Sequence, residues 1–194
     1  MKHHLFSFAP PMLALALLAP GLASAQSIFL SWPGVQGTAI VPALPTLNGT
    51  IALSSYQQDF FTDATSIVVG GAYAPIPICG AISVAKPADT TTAIFMTYTM
   101  NPTVIPKLTV TFTSPGATAG TLFVPAQIVL LNAYVTGVNE VVDTSAAAAG
   151  RLVDKISISA SVVQATYIPR LANGTAGTPQ KVGWNCLTRT PVTF

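Results

Sequence analysis

The chain of 194 residues is long enough for one domain with a sizeable core, and only 7% of its residues are charged. Its net charge of +2 comes without a basic stripe or interleaved aromatic residues, which argues against a nucleic-acid partner. Mean hydropathy is +0.59, yet the long continuous apolar run is N-terminal. Elsewhere Thr, Ser, Pro and Gly interrupt the apolar residues, which is typical of strands and turns. A surface with so few charged residues favours association between protein molecules.

The N-terminal segment has the three parts of a secretory signal peptide. Met1–His4 is positively charged, Leu13–Leu22 is apolar, and Ala23–Ala25 is a small-x-small cleavage site. We therefore predict a signal peptide over residues 1–25 and a mature chain that starts at Gln26. The alternative is a transmembrane anchor, but the run contains prolines and is short for a span of roughly 20 residues. We expect an exported protein, periplasmic or extracellular, that leaves the membrane after cleavage.

The first strands are predicted between clear turn signals. Ser27–Trp32 is a strand that ends at a Pro-Gly pair, and Thr50–Tyr56 alternates apolar and small residues after an Asn-Gly turn. Gln57–Thr65 is polar and is predicted to be a loop that packs its aromatic residues. Ser66–Ile78 is rich in Gly and Pro and is left unassigned, and Cys79–Ala85 is the next strand.

One short helix is predicted at about residues 88–100. Pro87 suits a first helical turn and Asp89 is a preferred capping residue, while Asn101-Pro102 ends the run after Met100. The repeated Thr residues have poor helix propensity, so this helix needs tertiary packing to form.

The second half of the chain is predicted to be strands. Pro106–Ser114 alternates Leu, Val and Phe with Thr, and Thr121–Val135 is a long strand or a strand pair in which Pro125 marks an edge or a bulge. Asn139–Gly150 is predicted to be a loop, and Val153–Tyr167 a long strand. A Gly-, Asn- and Pro-rich excursion then leads to a short last strand with Trp184. The fold class is mainly β, either a β-barrel or two packed antiparallel sheets with one short α-helix, in a single domain over residues 26–194.

The two cysteines, Cys79 and Cys186, both lie in the mature part. In an oxidising compartment a disulfide between them is the simplest interpretation, and it closes a loop of about 107 residues. Two buried free thiols are the alternative. A metal site is not expected, because both histidines belong to the predicted signal peptide and two cysteines do not complete a zinc shell.

No catalytic constellation is predicted. The mature part has no His, which excludes Ser-His-Asp, Cys-His and His-ligated metal schemes. A pair of carboxylates, as in a glycosidase, remains as an alternative, but we expect the acids to be solvated at the surface, except for Asp89 at the helix start. We therefore predict a protein that is not an enzyme and has no cofactor. The acids are Asp59, Asp63, Asp89, Glu140, Asp143 and Asp154.

Several segments, taken in order, carry a family resemblance. Ile28–Ser31 leads to a Val-x-Gly turn at Gly34–Gly37, and Ile82–Lys86 precedes the helix, which Lys107–Val110 follows. The last third contains Arg151–Ile158 and then a set of signature residues: Tyr167, Pro169, Gly174, Pro179, Gly183 and Trp184. In this order the segments resemble the haemolysin-coregulated protein (Hcp) family, the tube proteins of bacterial type VI secretion.

The resemblance implies a compact β-barrel with one helix, hexameric rings, and stacking of rings into a hollow tube that carries effectors. The chain differs from the family in its signal peptide, its low charge, its apolar Ile67–Ile78 segment and its cysteine pair. We therefore predict an exported structural protein that self-associates into rings and meets other secreted proteins. The alternative is an exported monomeric binding module or effector-like protein that reuses the same fold. A hydrolase that acts outside the cell is the third hypothesis.

Overall fold

The computed structural model describes residues 26–63, 68–69, 72–73, 76–144 and 150–193. The predicted signal peptide, and parts of Ser66–Ile78 and Asn139–Gly150, lie outside these residues, so those predictions stay open. The elements are β1 (Ser27–Ser31), β2 (Ile51–Leu53), β3 (Ser55–Asp63), β4 (Val68–Val69), β5 (Ala72–Tyr73), β6 (Ile76–Pro87), α1 (Thr92–Met100), β7 (Ile105–Pro115), β8 (Leu122–Asp143), β9 (Arg151–Tyr167), β10 (Gln180–Asn185) and β11 (Thr190–Pro191).

The main sheet closes into an antiparallel barrel. β1 pairs with β2 on one edge and with β7 on the other, and pairing continues from β7 through β8 to β9. β9 pairs with β6, and β6 pairs with β3. Ser54 separates β2 from β3, and its amide donates to the carbonyl of Ala85 in β6 over 2.8 Å. The strand order therefore returns to β1, which confirms the mainly β prediction and selects the barrel.

One edge of β9 is shared by two strands. Val153–Ile158 of β9 pairs with β6, whereas Val162–Tyr167 pairs with β10, which in turn carries β11. Near the middle of β9, pairing with β6 therefore ends and pairing with β10 begins. This fork (the point on β9 where β6 gives way to β10) positions both the disulfide and the cleft described below.

The core fills the barrel and extends under the helix. Leu30, Leu108 and Leu130 come from three different strands and have no exposed surface. Phe95 of α1 is equally buried, and the ring of Trp32 contacts it edge-on at 5.2 Å between centroids. The Thr-rich helix is thus held by packing, as the sequence requires, and hydroxyls in it donate to carbonyls one turn earlier.

Three boundaries differ from the predictions. The predicted loop Gln57–Thr65 is wrong, because β3 runs to Asp63 and pairs with β6 along its length. The predicted loop from Asn139 is wrong as far as Asp143, because β8 continues there as a partner of β9. The helix starts at Thr92 instead of residue 88. Both missed strand segments contain several polar residues, and pairing with a neighbouring strand decides their conformation.

The start of α1 and the irregularity in β8 depend on single residues, Asp89 and Pro125. Asp89 is not the N-cap of the helix; Thr91 is, and the Asp89 carboxylate accepts hydrogen bonds from the amide and hydroxyl of Thr91. The bulge at Pro125 is confirmed, because β8 has one residue more than β7 between the pairs Phe112↔Ala126 and Ser114↔Phe123.

Candidate functional site

The excursion between β9 and β10 is an ordered loop. The Gly177 amide donates to the carbonyl of Pro169 over 2.8 Å, which closes the base of the loop. Gly174 has a φ of +82°, a conformation that favours glycine, and its amide donates to Leu171. The Arg170 guanidinium donates to the carbonyl of Pro115 and lies over the ring of Phe123, which fixes the loop to the barrel.

Some of the signature residues come together at a cleft, and others do not. Tyr167 ends β9, while Gly183 and Trp184 lie on β10 opposite Gln164 and Val163. These three line a cleft of about 290 Å³ between β3 and the β9–β10 pair, which we call the barrel-mouth cleft. Its other lining residues are Gln58, Phe60, Val163, Ala165 and Val182. The remaining signature residues, Pro169, Gly174 and Pro179, are outside its lining and belong to the excursion.

A second cavity of about 380 Å³ adjoins the barrel-mouth cleft and shares Gln58, Phe60 and Tyr167 with it. It reaches across the open end of the barrel to β7 and β8, where Phe112, Ala126 and Ile128 line it. Gln26, the predicted first residue of the mature chain, also lies at this cavity. The sequence prediction missed Gln58 and Phe60 because it placed them in a loop. Tyr56, Gln58 and Phe60 recur at every second position, and this is the signal that could have placed all three on one strand face.

Three polar side chains at the barrel-mouth cleft and the adjoining cavity are partly buried: Tyr56, Gln58 and Trp184. The Tyr56 hydroxyl donates to the Gln58 side-chain oxygen over 2.6 Å. The Gln58 Nε2 and Trp184 Nε1 atoms are buried and have no hydrogen-bond partner among the described residues. Burial, and to a smaller extent the nearby Tyr167, raises the pKa of Tyr56 well above its ordinary value. The described lining of the cleft is therefore uncharged and mostly apolar, and the two unpaired N–H groups have almost no accessible surface.

Cys79 and Cys186 form the predicted disulfide at the fork. Their sulfurs are 2.07 Å apart and their Cα atoms 5.7 Å apart. Cys79 lies in β6, and Cys186 directly follows β10 and donates its amide to Ser161 of β9 over 2.8 Å. The bridge thus joins the two strands that share one edge of β9. Because the described residues of β6 and β10 do not pair with each other, the disulfide is a covalent link between two strands that are not hydrogen-bonded neighbours.

A buried ion pair lies beneath the start of α1. The Lys86 ammonium donates to Asp154 over 2.8 Å and to Asp89 over 2.9 Å, and the Lys86 and Asp154 side chains are 0% exposed. The Thr92 hydroxyl donates to the same Asp154 oxygen over 2.5 Å. Asp154 was expected to be a solvated surface acid, and this is wrong. The prediction failed because β6 and β9 bring Lys86 directly opposite Asp154 from distant parts of the chain.

This Lys–Asp–Thr arrangement has the residue types of an activated nucleophile, but its setting is structural. A catalytic Thr needs access to a substrate and a base that can exchange protons. Here Lys86 and Asp154 have no exposed surface, and Thr92 is 8% exposed. The ammonium also donates to the carbonyl of Pro87, so it is saturated by acceptors. The network therefore ties α1 to β6 and β9.

Acid is expected to weaken this network through Asp89. Burial alone raises the pKa of Asp89, but hydrogen bonds from Thr91 and Lys86, with the charge of Lys86, outweigh it and hold the pKa below its ordinary value of 3.8. A lowered pKa in the folded state gives stability that is present above pH 3.8 and is lost as the pH falls through the folded-state value. Urea unfolding between about pH 5 and pH 2 should show this loss, and Asp89→Asn should lack its share of it. An identical pH slope in Asp89→Asn would contradict the assignment.

Among the described residues, no group of three His, Cys, Asp or Glu side chains is arranged to hold a metal ion. The helices within the same residues are all too short or too polar to cross a membrane.

Solved structures with the same fold are known. No protein-family model matches the chain, and no curated protein matches it. A structure of a type six secretion system protein superposes with a TM-score of 0.73 at 16% identity, over 87% of this chain and 100% of that one. Hcp1 from Salmonella typhimurium gives 0.65 at 13% identity, over 87% and 99%. The chain has an Hcp fold. A type VI secretion system effector from Yersinia pestis also shares it, with a TM-score of 0.62 at 11% identity over 81% and 98%.

The Hcp fold confirms the resemblance that the sequence segments indicated. The strand Ile28–Ser31 lies in or beside β1, and Lys107–Val110 and Arg151–Ile158 lie in β7 and β9. Gly37 of the Val-x-Gly turn lies so close to Thr50 that a Cβ atom there would overlap the Thr50 carbonyl, which explains the glycine. At such low identity the superposition establishes the fold, and the role of the protein follows as a proposal.

Proposed function

We propose that this chain is a non-enzymatic, exported structural protein that self-associates into rings. The single observation that supports it most is the Hcp fold, which matches 87% of this chain to 100% of a type six secretion system protein. The chain therefore covers the whole length of that protein. The resemblance stated above implies hexameric rings.

Export is supported by the N-terminal pattern and by the disulfide. The segment over residues 1–25 has the charge, apolar run and cleavage site of a signal peptide. Cys79 and Cys186 are paired, and structural disulfides persist in oxidising compartments such as the periplasm and the extracellular space. We propose that the mature protein resides in one of these compartments.

Self-association is supported by the surface. Ile40, Met100 and Leu187 are 82%, 78% and 75% exposed, and they come from different regions of the chain. Only 7% of the residues are charged, so little electrostatic repulsion opposes contact between copies. Two different patches that bind head to tail close into a ring when the rotation between subunits divides the circle.

Sedimentation velocity of the exported product tests this proposal. The full-length precursor is expressed in a bacterium, and the product is purified from the periplasm or the medium and its N-terminus is identified by mass spectrometry. We expect a chain that starts at Gln26 and sediments as a closed assembly, about six subunits by the resemblance. A monomer at every concentration would contradict ring formation and favour the monomeric binding module or effector-like protein. A precursor that stays in the cytoplasm uncleaved would contradict export.

A further inference from the structure

We propose that the Cys79–Cys186 bridge is a redox-controlled latch that holds a two-stranded arm against the barrel. The arm consists of residues 59–63 of β3 and 76–81 of β6, the described parts of these two strands that lie beyond the fork. With the bridge intact, the arm is fixed to the end of β10. When the bridge is reduced, the arm is released while the barrel stays folded. The latch does not depend on ring formation.

The strand pairing of β6 changes where the arm begins. Residues 82–85 of β6 pair with β3 on one side and with β9 on the other, and Ile82 and Val84 are buried in the barrel. In the arm, the strand pairing of the described residues is with each other alone. A two-stranded hairpin is at best marginally stable in water, so the arm needs a further attachment to keep its place.

A β-bulge separates the arm from the barrel. Between the pairs Gln58↔Ile82 and Phe60↔Cys79, β6 has two residues and β3 has one. An extra residue of this kind interrupts the ladder and bends the strand pair. The bulge lies next to Ile82, where the pairing of β6 with β9 ends. The arm therefore begins at a hinge, because both ladders of β6 are interrupted at the same place.

Side-chain packing restrains the arm only weakly. Among its described side chains none is buried, and Phe60 and Phe61 are 57% and 53% exposed. Segments with few buried apolar contacts open at a much lower free energy than the whole fold. Cys79 attaches the arm covalently to Cys186. Cys186 is itself held firmly, since it packs against the core and its amide donates to Ser161 of β9 over 2.8 Å.

The latch opens by thiol–disulfide exchange with a dithiol reductant. The dithiol supplies two electrons and two protons, the S–S bond breaks, two cysteine thiols form, and the dithiol becomes a disulfide. Exchange requires access to a sulfur, and Cys79 and Cys186 are both partly exposed residues. Reducing systems of the cytoplasm break such bonds, whereas the periplasm lets them persist. The latch is then open before export and closed after it; this timing rests on the proposed export, but the latch does not.

Hydrogen–deuterium exchange of the exported protein, with and without dithiothreitol, tests the latch. Alkylation of two thiols per chain confirms reduction, and circular dichroism confirms that the barrel stays folded. After reduction, we expect amides in peptides that cover residues 59–63 and 76–81 to exchange at least about tenfold faster. Peptides from β7 should stay protected over the same minutes, because their exchange requires the barrel to open.

The quenching of Trp184 fluorescence by acrylamide gives a second measurement. Trp184 and Phe60 of the arm line the same barrel-mouth cleft, so release of the arm uncovers this tryptophan. Trp32→Phe leaves Trp184 as the only tryptophan of the chain. We expect the quenching constant of this variant to rise roughly twofold on reduction and to return to its first value on reoxidation.

The double variant Cys79→Ser, Cys186→Ser is the matched control. Its arm should exchange as fast as that of the reduced protein, and dithiothreitol should change nothing in it. Three results would overturn the proposal. The first is unchanged exchange of the arm in a chain with two alkylated thiols. The second is equal loss of protection in the arm and β7, which would show that the bridge holds the whole barrel. The third is a folded protein whose bridge resists dithiothreitol.

Discussion

Replacing both Cys79 and Cys186 by Ser should lower the free energy of unfolding by at most about 4–5 kcal/mol. The bridge spans 107 residues, so its loss frees most of the mature chain in the unfolded state. It also removes the covalent link at the fork, where β6 and β10 share one edge of β9. Urea unfolding at equilibrium, followed by circular dichroism, measures the change.

Reduction of the unmodified protein is the matched control for that variant. Reductant should shift the unfolding midpoint of the original protein toward that of the Cys79→Ser, Cys186→Ser double variant, and it should leave the double variant unchanged. A loss of less than about 1 kcal/mol in the double variant would show that the unfolded state is restrained by other means.

Lys86→Met should lower the free energy of unfolding by about 3–5 kcal/mol. Lys86 is fully buried, and its ammonium reaches Asp154 and Asp89 at 2.8 and 2.9 Å. Without it the Asp154 carboxylate is left buried, with the Thr92 hydroxyl as its remaining partner among the contacts described above. One oxygen of Asp154 already has no hydrogen-bond partner among the described residues, so the uncompensated charge is costly.

The double variant Lys86→Met, Asp154→Leu separates the value of the pair from the cost of one unpaired charge. Because both charges are removed, it should be more stable than Lys86→Met alone, with most of the loss recovered. Thr97→Ala provides a control on an exposed hydroxyl of the same helix. If the losses of Lys86→Met and Asp154→Leu simply add, the two side chains do not act as a pair, and the structural role assigned to the network is wrong.

The sequence predicted those parts of the fold whose residues alternate with a buried face. β7 and β9 were recognised because Leu108, Val110, Ile156 and Ile158 recur at every second position, and all are buried in the barrel. The helix was placed by its flanking Pro and Asn residues. These signals are local, so no knowledge of the partner strands was needed.

The missed parts depend on strand register. β3 carries Gln57, Gln58 and Asp59, which resemble a loop, and its conformation comes from pairing with β6. Lys86 and Asp154 are 68 residues apart, and only the register of β6 on β9 makes them a cross-strand pair. The sequence identified one side of the barrel-mouth cleft, because Tyr167, Gly183 and Trp184 were selected by resemblance. It missed the β3 side, because those residues were predicted to be in a loop.

Negative-stain electron microscopy of the exported protein tests the central proposal most directly. We expect ring-shaped particles with a central opening and six-fold averages, as the Hcp resemblance implies, and rings are visible without any knowledge of a partner. Uniform compact particles of the size of one chain, at concentrations where the protein is pure and its Cys79–Cys186 bridge is intact, would contradict it.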